Sequence, residues 1–113
     1  MTNHASRDEI PPGTLDMLIL QTVARCGESH GFEIADAIQR SSSGVLQVEE
    51  GSLYPALQRL LIKAWLVGEW GRTAENRRAR YYTITAAGQK QLAHEVASYR
   101  RVAHAIGTIL RPA

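Results

Sequence analysis

A single cysteine, Cys26, rules out an internal disulfide, so the fold has to be held by packing. Long apolar runs are missing too. The longest, MLIL at residues 17–20, is far short of the roughly 20 residues that span a bilayer. The polar start MTNHASRDEI does not resemble a signal peptide. Together these absences predict a soluble, reduced, cytoplasmic protein with no membrane partner. Catalytic and metal chemistry are also thinly provided. His4, His30, His94 and His104 are scattered, and one cysteine cannot complete a zinc set. There is no glycine-rich phosphate loop, since Ser41-Ser42-Ser43-Gly44 reads as a turn, and no nucleophile stands at recognisable spacing from a base. We therefore expect no enzyme, no metal and no cofactor.

Lysine is scarce as well: eleven arginines stand against two lysines, with a net charge of +2 and a sequence pI of about 9.0. Arginine presents a planar fork of donors that suits phosphate or guanine. The 113 residues, 44% hydrophobic and 21% charged, suffice for one domain with a buried core.

Residues 1–13 read as a flexible N-terminal arm ending in Pro11-Pro12-Gly13. A first helix follows, with Thr14 as its cap and Asp16 at its positive end. Leu15, Leu18, Ile19 and Val23 make one apolar face, while Met17, Leu20 and Ala24 make a second. A helix apolar nearly all round has to be covered on two sides. Cys26 extends the first stripe and is expected as a buried thiol. A second helix starts near His30, with Phe32, Ile34, Ala35 and Ile38 on its buried side. VLQVEE then reads as a brief strand or an ordered loop.

GSLYPALQRLLIKAWL encodes the third helix. Leu53, Leu57, Leu60 and Leu61 recur at helical spacing and face the core. Pro55 fits the first turn, where backbone N–H groups lack partners inside the helix, and Ser52 can cap there. The other side presents Ser52, Tyr54, Pro55, Gln58 and Arg59, with Lys63 lower down. These are side chains of the kind that reach phosphates and base edges. LVGEWGR and RARYYTIT flank TAEN as a β-hairpin with Tyr82 and Ile84 on the core face. Arg72, Arg77, Arg78 and Arg80 cluster at its tip, where phosphate contact is expected.

The last helix starts after Thr85. Leu92, Val96, Tyr99, Ala103, Ile106 and Leu110 form a heptad seam along a rod of nearly 40 Å. A domain this small cannot cover such a rod, so the seam is expected to pair with another copy of the chain, with Met17 and Leu20 of the first helix beside it.

The order ααα-ββ-α matches a winged helix-turn-helix in residues 14–85, a mostly α (α+β) fold, with an added long C-terminal dimerisation helix in 86–113. HGFEI, GSLYPALQRL and RRARYYTITAAGQKQL, in this order, resemble the PadR family of bacterial transcriptional regulators. The resemblance runs from about Thr14 to Leu110. It implies a homodimeric repressor, joined through the C-terminal helix, that binds a dyad-symmetric double-stranded DNA operator. It also implies that the Tyr54 hydroxyl, flanked by Ser52 and Pro55, lies near a phosphate and that Arg77, Arg78 and Arg80 form the basic stretch of the wing. The family commonly carries Glu and then Gly near the end of the third helix, where this chain has Leu61 and Ala64. Some members hold flat aromatic drugs between tryptophans at the dimer centre. Trp65 and Trp70 fall instead at the hairpin, and the last helix offers only Tyr99, so any small-molecule effector is unidentified. A winged-helix module that docks proteins and ignores DNA remains the alternative.

Overall fold

The computed structural model of the chain describes Ile10, Pro11 and residues 13–112; the rest of the expected N-terminal arm lies outside them. The elements run α1 (Leu15–Cys26), β1 (Ser29–His30), α2 (Gly31–Ser41), α3 (Glu50–Ile62), β2 (Leu66–Arg72), β3 (Arg78–Ile84) and α4 (Ala86–Ile109). The strands form one antiparallel sheet in the order β1-β3-β2. β2 and β3 make the hairpin, with Leu66 opposite Ile84, Gly68 opposite Tyr82, Trp70 opposite Arg80 and Arg72 opposite Arg78. Alternation along the strands puts these eight residues on one face. At the base, Leu66, Tyr82 and Ile84 seal the core.

The core joins Met17, Ile19, Leu20 and Val23 of α1 to Ile34 and Ile38 of α2 and to Leu53, Ala56, Leu57 and Leu60 of α3. α1 is indeed covered on two sides, by α2 and α3 and by the first half of α4, whose Leu92 joins the same cluster. The segment between α2 and α3 is a loop, pinned by a bond from the Leu46 N–H to Ser42 Oγ, with Leu46 and Val48 packed on the core. Each major helix has an identifiable start or stop. His30 caps α2 in a reciprocal box with Glu33. Thr85 caps α4, its hydroxyl accepting from the Gly88 N–H at 2.9 Å. α3 ends in a Schellman motif, with Trp65 N–H donating to Leu60 O and Ala64 N–H to Leu61 O, both at 3.0 Å. The motif needs a left-handed residue, and here Ala64 supplies it at φ 61°.

Five expectations change. Thr14 stands at the N-cap position of α1, but its hydroxyl donates back to Pro11 O at 2.7 Å and caps no helix N–H. Cys26 is exposed rather than buried, because α1 stops there and Gly27 turns the chain away. Phe32 is 73% exposed: in the first turn of α2 it lies round the helix from Ile34 and Ile38. α3 begins a turn earlier than its serine suggests, with Glu49 at the N-cap position. Pro55 therefore lies inside the helix, and Ser52 is in the first turn, where its N–H bonds back to Glu49 O. Strand β1 is two residues long and was not anticipated.

Three helices followed by a two-stranded wing, with a long helix appended, make this a winged-helix fold of the α+β class.

Candidate nucleic-acid interface

Burial of one side of α3 fixes what its other side offers. Because Leu53, Ala56, Leu57 and Leu60 are buried, Ser52, Tyr54, Pro55, Gln58, Arg59 and Lys63 are all exposed. Two of them carry contacts of their own. Arg59 donates from its Nη2 to Asp16 Oδ1 of α1 at 2.9 Å. That hydrogen bond, and then the carboxylate charge, raise the arginine above its already high ordinary pKa. Lys63 Nζ stands 4.8 Å from the centre of the Trp65 ring. The Tyr54 ring lies over Gly31 at the start of α2, where an added Cβ would meet its hydroxyl and ring at 3.0 Å.

The wing stands across a cleft from this helix. Tyr54 of α3, the first residues of α2 (Gly31, Phe32, Glu33) and the wing tip around Arg77, Arg78 and Arg80 line a space of about 860 Å³. Aromatic faces and guanidinium groups therefore share one open groove. Burial pushes the Tyr82 phenol at its floor above the usual tyrosine value, with the charge of Arg80 opposing the shift.

The four wing arginines are not equivalent. Arg72 donates to Asn76 O at 3.1 Å and so braces the turn, where Asn76 itself is left-handed at φ 64°. Arg77 is exposed on the turn. Arg78 and Arg80 lie against Trp70, their guanidinium carbons 4.4 and 5.7 Å from its ring centre. Among the described residues Arg80 Nε is the one buried side-chain nitrogen or oxygen without a hydrogen-bond partner. Trp70 and Phe32 belong to this surface, whereas the sequence placed Trp70 only at the hairpin and Phe32 on the buried side of α2. The signal for Trp70 was the strand alternation that sets it opposite Arg80.

The residues expected at a subunit interface divide in two. Met17, Leu20 and Leu92 are buried in the subunit's own core and Val96 packs against it. Tyr99, Ala103, Ile106 and Leu110 are exposed, as is every described residue from Tyr99 to the end of α4. Tyr99, Val102, Ile106, Ile109 and Leu110 form an apolar stripe along this bare half. It continues into a groove of about 430 Å³ between the start of α1, at Thr14 and Met17, and His94, Ser98, Tyr99 and Val102 of α4.

Among the described residues no helix is long and apolar enough to cross a membrane, and no cluster of His, Cys, Asp and Glu could hold a metal ion.

Comparison with known proteins adds a second line. Residues 19–94 match the model of the transcriptional regulator PadR-like family. An uncharacterized protein of Lysinibacillus sphaericus is 29% identical over 96 residues, covering 85% of this chain and 87% of that protein. A transcriptional regulator from Clostridium thermocellum superposes with a TM-score of 0.79 at 25% identity, covering 88% of this chain and 95% of the other. A PadR-like transcriptional regulator from Bacillus cereus gives 0.74 at 26% identity, covering 89% and 95%.

Proposed function

Because this chain belongs to the PadR-like family of transcriptional regulators, not a family of enzymes, we propose that it is a cytoplasmic homodimeric repressor that binds a dyad-symmetric operator in double-stranded DNA. Residues 14–85 are the DNA-binding unit and residues 86–113 the dimerisation helix. α3 enters the major groove with Ser52, Tyr54, Pro55, Gln58, Arg59 and Lys63, and Arg72, Arg77, Arg78 and Arg80 of the wing meet phosphates. The observation that carries this reading is the shared cleft, which brings Tyr54 of α3 and the arginine-bearing wing tip to one open surface.

The dimer part of the reading rests on the bare half of α4. A short helix segment with no tertiary cover is marginal in water, and its apolar stripe calls for a partner surface. A second copy supplies it by symmetry, its own stripe meeting this one and the groove beside α1. The two copies of α3 then stand about one DNA turn apart, roughly 34 Å.

Duplex binding over a salt series tests the proposal. A dimer whose wings meet phosphates gives a steep log–log dependence, about −0.9 per phosphate contact. Replacing Arg77, Arg78 and Arg80 by alanine should flatten it. Binding whose slope survives the triple change removes the wing from the interface, and no binding at low salt favours a module that docks proteins instead.

A further inference from the structure

Trp70 is an unusual residue to find on the exposed part of a hairpin. It is 57% exposed and lies outside the core cluster. The cross-strand register explains what it touches. Trp70 faces Arg80 directly and Arg78 on the diagonal, and both guanidinium groups lie over its ring at 4.4 and 5.7 Å. Gly68, two residues earlier on the same face, completes the arrangement. A Cβ there would fall 2.6 Å from Arg80 Nε, so the absent side chain is what lets Arg80 lie across the strand towards the indole.

The manner of holding matters. Arg40 and Arg59 are fixed by carboxylates, Asp36 and Asp16, which occupy donors and neutralise charge. Arg78 and Arg80 make no such pair among the described residues. An arginine stacked on an aromatic ring is oriented through its flat face, which leaves the N–H groups round its edge and its full charge available. Arg80 Nε, buried over Gly68 without a partner, is the exception, so what Arg80 offers is the outer edge of its guanidinium.

We infer that Trp70 is a positioning residue for DNA binding: it pre-orients Arg78 and Arg80 for phosphate while consuming none of their donors, and Gly68 gives Arg80 the room to reach it. The inference rests on the regulator reading and names a residue that reading does not use. The gain is entropic. Two flexible side chains are ordered before the DNA arrives, so less ordering remains to be done on binding. Because Trp70 is uncharged, its removal leaves the number of phosphate contacts unchanged.

That distinction is measurable with a fluorescent 30-base-pair duplex of arbitrary sequence, since phosphate contact is indifferent to sequence. Trp70→Leu should weaken binding about tenfold at every salt concentration with an unaltered log–log slope. Arg78→Ala with Arg80→Ala removes up to four phosphate contacts per dimer, so it should weaken binding and also flatten the slope by up to about 3.6. Adding Trp70→Leu to that pair should change binding by less than about twofold, because the indole acts through the arginines. Trp70→Phe should restore most of the loss. Gly68→Ala, which keeps the indole and displaces Arg80, should also weaken binding at constant slope. Unchanged binding by Trp70→Leu or by Gly68→Ala overturns the inference. So does a tenfold loss that persists in the arginine-free background, which would make Trp70 a direct contact or a fold residue. A wild-type chain that fails to bind at low salt overturns the regulator reading itself, and the inference with it. Thermal melts of each variant separate loss of fold from loss of positioning.

Discussion

Arg59 of α3 and Asp16 of α1, 43 residues apart in sequence, are joined by a 2.9 Å hydrogen bond. The pair ties the outer side of α3 to the helix packed behind it. It also draws one cation towards a carboxylate in the positive first turn of α1. Both side chains are partly solvated, so the bond adds well under about 1 kcal/mol to stability. Its larger effect is on where the guanidinium rests.

Releasing Arg59 should therefore change binding more than folding. With Asp16→Asn, we expect tighter binding to a duplex and a salt slope steeper by up to about 1.8, one added contact per subunit of the dimer, with a melting temperature close to that of the parent. A slope identical to the parent would show that Arg59 does not reach phosphate even when freed.

Ala64 is a site for stabilisation. It holds the left-handed conformation that closes α3, at φ 61°, where a Cβ costs about 1 kcal/mol and glycine pays nothing. Ala64→Gly should raise stability by about that amount and the melting temperature by about 4 °C in a calorimetric scan. A fall in melting temperature would show that the flexibility glycine adds to the unfolded chain outweighs the relief.

Gly88 is the opposite case. It is buried in the first turn of α4, and an added Cβ would overlap the Trp65 carbonyl oxygen and approach Ile84 Cγ1 at 2.8 Å. Gly88→Ala should destabilise by about 2 kcal/mol, despite alanine's better helix propensity, because backbone on both sides is fixed. Denaturant titration reads this directly; a stabilised variant would mean that α4 can tilt away freely.

The stripe on α4 predicts assembly. Val102→Glu with Ile106→Glu replaces two half-exposed side chains. It should therefore leave the subunit core intact while turning a dimer into monomers of 12.5 kDa in sedimentation. A dimer that survives both charges would put the interface elsewhere.

Elements with strong local chemistry were legible in the sequence. The start of α4 after Thr85, which turns out to be its cap, and the core-facing side of Tyr82 were readable because helix starts and strand alternation follow rules of one to four residues. The leucines at 53, 57 and 60 give the buried side of α3 by the same logic. What escaped depends on contacts distant in sequence or on where an element stops. Cys26 continues an apolar stripe, yet nothing covers the last residue of α1. Strand β1 is only Ser29 and His30, and exists because β3 offers Tyr82 and Tyr81 as partners. Of the candidate site, the exposed side of α3 and the arginine-rich wing were readable. The Asp16–Arg59 bond and the stacking on Trp70 were not, since one needs the tertiary fold and the other the exact strand register.

Thr85 has a further consequence. Its hydroxyl donates to Ala64 O at 2.8 Å and lies 3.2 Å from Trp65 O, its N–H donates to Trp65 O at 3.0 Å, and the same hydroxyl caps α4. The tail of α3, the root of the hairpin and the first turn of the terminal rod are thus riveted at a single joint. Because Leu92 also fixes the first half of the rod to the core of the same block, the bare half beyond Tyr99 is carried rigidly with α3 and the wing, and whatever sets the direction of that rod in an assembly sets the aim of both.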